Sequence, residues 1–180
     1  MENVRPLETT VAPKVPAFFP NFARDLLPVF ADMERLSAEA TGEGLLISGI
    51  WDPDLEVAES MVRAAFVGEV VWTKPTIRYI WEPKILEPIL RIEVRTPSDY
   101  VGNVIGDLMS RRGMLLGQAE TPEGLVIAAD VPLQELLGYS RSLLSFTRGK
   151  GEATATFLRY DPAPNLGPDP DEPMSAALRA

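Results

Sequence analysis

The sequence predicts an α+β fold built from two tandem modules, each running strand, helix, strand, strand, helix, strand. Three observations carry this expectation. Short runs alternate apolar and polar residues as half-buried strands do, helix-period apolar stripes separate those runs, and the whole order occurs twice in 180 residues. The 17 prolines mark the boundaries, because proline interrupts helices and central strands. They divide the chain into residues 1–84, residues 85–163 and a Pro-rich tail, residues 164–180, predicted to be disordered because it carries too little apolar surface to order itself.

In the first module, Leu7 to Ala12 alternates as a strand. Asn21 is the expected N-cap of a helix whose apolar face carries Phe22, Leu26, Val29, Phe30 and Met33, with a kink at Pro28. Thr41-Gly42-Glu43-Gly44 predicts a hairpin turn into the apolar strand Leu45 to Gly49. Asp52 is the expected cap of a second helix, with Pro53 at its first position and Leu55, Ala58, Met61, Val62, Ala65 and Phe66 as the buried stripe. Glu69 to Trp72 and Thr76 to Trp81 close the module as strands.

The second module repeats the order. Ile89 to Val94 alternates, Pro97-Ser98-Asp99 opens a helix through Val101, Val104, Ile105 and Leu108, and Gly113 ends it after Arg111 and Arg112. Met114 to Ala119 and Gly124 to Val131 form a hairpin. A helix from about Pro132 through Leu136 to Leu144 follows, and Glu152 to Tyr160 is the last strand. Both halves therefore have the split βαβ order, giving two tandem ferredoxin-like domains.

Composition excludes several chemistries. With no cysteine and no histidine there is no disulfide, thiol nucleophile, structural zinc site or Ser-His-Asp triad. No carboxylate is paired with a recognisable nucleophile or base, so the protein is not expected to be an enzyme, and no metal or cofactor is expected. The longest apolar stretches fall short of the roughly 18 to 20 residues of a membrane span, and the N-terminus lacks a basic region followed by an apolar one. A cytoplasmic location without membrane contact is the expectation. The formal charge of −9 opposes nonspecific wrapping of nucleic acid, and no DNA partner is expected. The charge is uneven, with 8 basic against 13 acidic residues in 1–84, 8 against 10 in 85–163, and 1 against 3 in the tail.

Ile85-Leu86-Glu87-Pro88-Ile89-Leu90-Arg91-Ile92-Glu93-Val94, Tyr100-Val101-Gly102-Asn103-Val104-Ile105-Gly106-Asp107-Leu108 and Arg111-Arg112-Gly113 closely resemble the C-terminal domain of translational GTPases of the elongation factor G type. Val131-Pro132-Leu133, Leu137-Gly138-Tyr139, Leu143-Leu144-Ser145 and Thr147-Arg148-Gly149-Lys150-Gly151 extend that resemblance to the end of the second module. The first module is similar to the family's third domain at Val11-Ala12-Pro13-Lys14, at Leu46-Ile47-Ser48-Gly49, and at Lys74-Pro75 with Tyr79 and Glu82. It departs where the family continues with a Gly-Glu-Leu-His-Leu-Glu run and this chain has Ile50 to Glu56.

Larger departures shape the functional expectation. The family's GTPase domain and following β-barrel have no counterpart in these residues, and no G-x-x-x-x-G-K-[ST] loop occurs. Where the family inserts its elongated fourth domain, Pro83-Lys84 alone joins the modules. The resemblance therefore implies a non-catalytic, translation-related protein that binds the ribosome near the translation-factor site of the large subunit, touching ribosomal RNA and proteins there. The alternative is a module acting off the ribosome, using sheet faces or edges to bind a protein or small ligand or to form a homo-oligomer.

Five cations are the candidate contacts. Arg111 and Arg112 at a helix C-terminus suit the helix dipole, and with Arg141, Arg148 and Lys150 they could form a basic patch for RNA phosphates. Gly149 and Gly151 suit a tight loop. Trp51, at a turn, is the tryptophan expected at the surface for stacking on a base, whereas Trp72 and Trp81 lie among apolar strand residues and are expected inside. Asp52, Asp54, Glu56 and Glu59 crowd a helix N-terminus, where the dipole favours them, though such a cluster could also hold a divalent ion.

Overall fold

The computed structural model describes residues 4–15, 19–122 and 124–164, and the predicted tail lies outside the described residues beyond Pro164. The first module comprises β1 (Leu7–Pro13), α1 (Phe19–Leu26), β2 (Ser37–Thr41), β3 (Gly44–Gly49), α2 (Asp52–Ala65) and β4 (Val70–Trp72), with a short β5 (Thr76–Ile77). Its sheet runs β2-β3-β1-β4, all neighbours antiparallel, and β5 pairs with Leu7 and Glu8 of β1. The alternation read in the sequence is literal here. Leu7, Thr9, Val11 and Pro13 are buried while the residues between them are half-exposed.

Two helix starts differ from expectation. α1 begins at Phe19, so Asn21 is not its cap; the Asn21 side chain lies within the helix and accepts a hydrogen bond from Arg24 at 2.7 Å. Pro28 does not bend a continuous α-helix but lies in a 3₁₀ segment, Leu27–Phe30, that takes over where its missing N–H would break the α ladder. The second helix starts one residue early. Trp51 is the cap residue in extended conformation and Asp52 is already helical. The capping carboxylate is that of Asp54, which accepts the N–H groups of Ile50 at 3.0 Å and Trp51 at 3.3 Å.

Ile80–Trp81 (β6) leaves the first sheet and pairs with Ile85–Leu86 of the second. That module comprises β7 (Ile85–Thr96), α3 (Val101–Ser110), β8 (Met114–Thr121), β9 (Gly124–Pro132), the single turn α4 (Leu133–Leu136), α5 (Tyr139–Phe146) and β10 (Glu152–Pro162). Its sheet order, β10-β7-β9-β8, repeats the topology of the first. The helix expected over about 132–144 is broken in two. Gly138 takes a left-handed φ of 74°, separating α4 from α5, and its N–H points to the Asp52 carboxylate of the first module at 3.0 Å.

The modules are docked on one another. Their buried residues form one continuous cluster, from Leu7, Leu45 and Ile47 to Leu90, Ile92 and Leu143. Each fully buried aliphatic side chain contributes about 1.5–3 kcal/mol. Polar bonds fix the interface: Arg35 bonds Asp54 and the Ala155 carbonyl, Arg141 pairs with Glu56, and Tyr79 bonds Gln134. No helix among the described residues is long and apolar enough to cross a membrane.

Candidate nucleic-acid interface

The five candidate cations lie at the C-termini of α3 and α5 and along α5. Arg111 follows the last turn of α3. Its Nε donates to Asp107 at 2.7 Å, a second nitrogen to the Glu135 carbonyl at 2.7 Å, and a third to Ser142 Oγ at 3.4 Å. The guanidinium also lies 5.2 Å from the centre of the Tyr139 ring. Arg111 thus fastens α3 to α4 and α5, and most of its donors are already used. Burial raises the Tyr139 phenol well above its ordinary range, so it stays neutral beneath that cation.

Arg112 is held by carboxylates. It adopts a left-handed φ of 60° and grips both oxygens of the buried Glu87, with Glu135 at 3.7 Å. The hydrogen bond to Glu87 is the chief cause of its raised pKa. Arg141 is 82 % exposed and reaches Glu56 at 3.2 Å, a surface pair worth at most about 1 kcal/mol.

Arg148 and Lys150 are different. Both are exposed, and among the described residues neither side chain has an ion-pair partner. They project from a loop that is tied down internally. Thr147 is buried, and its hydroxyl donates to the Leu143 carbonyl at 2.6 Å and accepts the Gly151 N–H at 2.9 Å. Gly149 sends its N–H back to the Leu144 carbonyl at 2.7 Å. Arg148 itself sits at φ 54°, a conformation costing an L-residue about 1–2 kcal/mol, directly before Gly149 at φ 77°. A strained loop held by its own hydrogen bonds thus displays two cations that have no ion-pair partner among the described residues, whereas the other candidate arginines each have one.

Trp51 corrects the stacking expectation. It is 3 % exposed, because the first turn of α2 is pressed into the core with Asp54 locked beneath Arg35. Its ring cannot receive a base. Trp81 is instead 42 % exposed, since β6 is a two-residue strand ending at the Glu82-Pro83-Lys84 turn. The proline so close to it is the signal in the sequence that could have found this. Three of the four acidic residues at the start of α2 are engaged in bonds within the protein: Asp54 with Arg35 and its cap, Asp52 with Gly138 and Glu56 with Arg141.

Residues 84–168 match the family described as Elongation factor G C-terminus. A crystal structure of a Thermus thermophilus protein superposes with a TM-score of 0.62 at 19 % identity, covering 91 % of this chain and 42 % of that one. That structure shares the fold, and this chain spans less than half its length. The chain is translation-factor-related, and it resembles the C-terminal part of elongation factor G.

Proposed function

We propose that the protein is a non-catalytic factor that binds the large ribosomal subunit near the translation-factor site, in the cytoplasm. The observation that supports this most directly is the coincidence of the family match with the free cations: Arg148 and Lys150 lie inside residues 84–168. Phosphate binding needs cations that are exposed, unpaired and held in place, and among the described residues these two combine all three properties. Arg141 adds a third charge once Glu56 releases it, whereas Arg111 and Arg112 act as cross-links that shape the surface.

Action is by occupancy. The sequence carries no phosphate-binding loop with which to hydrolyse a nucleotide. The first module, similar to the third domain of the family, extends the footprint, and the acidic balance of the chain suppresses nonspecific RNA binding. The test is cosedimentation with purified large subunits at low and high salt. Binding should fall with rising salt and be lost in Arg148→Glu/Lys150→Glu, whereas no cosedimentation even at low salt, where phosphate contacts are strongest, would sink the proposal.

A further inference from the structure

The second sheet leaves one edge open. β8 ends the order β10-β7-β9-β8, and among the described residues no hydrogen bond reaches its outer side. Seven of its eight residues are exposed, on both faces of the sheet. Met114, Leu115 and Leu116 are 54 %, 40 % and 47 % exposed, and Met109 in the last turn of α3 is 61 % exposed. Glu120 carries the strand's single charge. Edges are ordinarily blunted by charge, proline, brevity or a cover.

The other edges are blunted in those ways. β2 has five residues with Glu39 at the centre, β4 has three, and β10 carries Glu152, Arg159 and Asp161 and receives Arg35 on its Ala155 carbonyl at 2.9 Å. β8 has one defence, a bulge that adds Leu116 between Leu115 and Gly117. Beyond it, Gly117 to Thr121 runs in regular register with β9.

We infer that β8 is the interface of a twofold homodimer, in which Gly117-Gln118-Ala119-Glu120-Thr121 pairs antiparallel with the same segment of a second copy, centred on Ala119. A second copy fits this edge for three reasons. Centring on Ala119 places a small methyl side chain against itself, where close approach is required. It also sets each Gln118 amide opposite the other copy's Glu120 carboxylate, two complementary pairs with no like charges facing. Finally, a twofold pairing uses the same edge on both copies, so association through β8 closes at two and does not propagate. Leu115 and Leu116 then flank the new strand pair.

This inference is independent of ribosome binding and predicts the opposite response to salt. Two copies of charge −9 repel at long range, so added salt screens the repulsion and strengthens an interface whose own charge is low. The experiment is sedimentation equilibrium from micromolar to about millimolar protein, a range that spans weak strand-edge association. Dimers that tighten with salt are expected. Gln118→Glu, which opposes four carboxylates, should weaken them about tenfold, and Gln118→Lys should tighten them several-fold, with circular dichroism confirming that both variants fold. A monomer throughout, an open-ended assembly, or a dimer equally indifferent to both substitutions would overturn the inference.

Discussion

Arg35 grips both carboxylate oxygens of Asp54, at 2.7 and 3.2 Å, while a nitrogen of the same guanidinium donates to the Ala155 carbonyl in the other module at 2.9 Å. Asp54 also caps α2, so one arginine ties the start of a helix in the first module to an edge strand of the second. Replacing Arg35 with Met removes the bridge and leaves a nearly buried carboxylate without its counter-ion. The expected cost is about 2 kcal/mol, below the range for fully buried pairs because Arg35 is itself partly exposed. Urea unfolding followed by both far-ultraviolet circular dichroism and tryptophan fluorescence checks it. Loss of midpoint is expected, and the two probes should separate as the modules uncouple.

Asp52 makes the second bridge, accepting the Gly138 N–H at 3.0 Å. Desolvation raises its pKa above the ordinary 3.8, although the bond to Gly138 pulls the other way. The sign follows from proton counting. Between 3.8 and the raised value the folded protein binds more protons than the unfolded chain, so stability from this group falls as pH rises through that window. Asp52→Asn keeps an oxygen for the Gly138 N–H and removes the buried charge. Its stability at pH 7 should equal or exceed the parent's, with the gain shrinking below about pH 4. A loss at pH 7 would show that the charge itself holds the modules together.

At Gly138 the cost is conformational. The backbone holds a left-handed φ of 74°, and no atom lies within 4 Å of where a Cβ would stand, so Gly138→Ala meets strain but no clash. About 1 kcal/mol of destabilisation is expected, or roughly 2–4 °C in Tm for a chain of this size. A scanning calorimetry shift much above that range would mean that the bond to Asp52 had broken as well.

How much of this is legible in the sequence depends on the range of the interactions. The strand alternation of Leu7 to Ala12, the hairpin at Thr41 to Gly44 and the doubled element order are local patterns, and they reappear in the structure. Local signals misplace the start of α2 because its cap is selected by a partner 19 residues away, Arg35 on Asp54. Trp51 reads as a surface residue because the docking that buries it has no local signature. At the candidate interface, the pairing of Arg111 with Asp107 is readable from its i,i+4 spacing, but that of Arg112 with Glu87, across 25 residues, is not. The Thr147 to Gly151 loop is visible through its glycines; which of its neighbouring cations stay free requires the fold.

Arg112 and Arg148 form a natural experiment, since both are left-handed arginines placed after a helix and directly before a glycine. Arg112 holds the buried Glu87, so Arg112→Gly relieves backbone strain but strands a carboxylate. About 3 kcal/mol should be lost, and the double variant Arg112→Gly/Glu87→Met should recover part of it, because the buried charge is then gone. Arg148 has no ion-pair partner among the described residues, so Arg148→Gly relieves strain without a compensating loss, and stability should rise by about 0.5–1 kcal/mol. The two quantities to measure are Tm and retention on ribosomal subunits. A variant that melts higher yet binds less would show that the strained arginine serves recognition, whereas higher stability with unchanged binding would remove Arg148 from the interface.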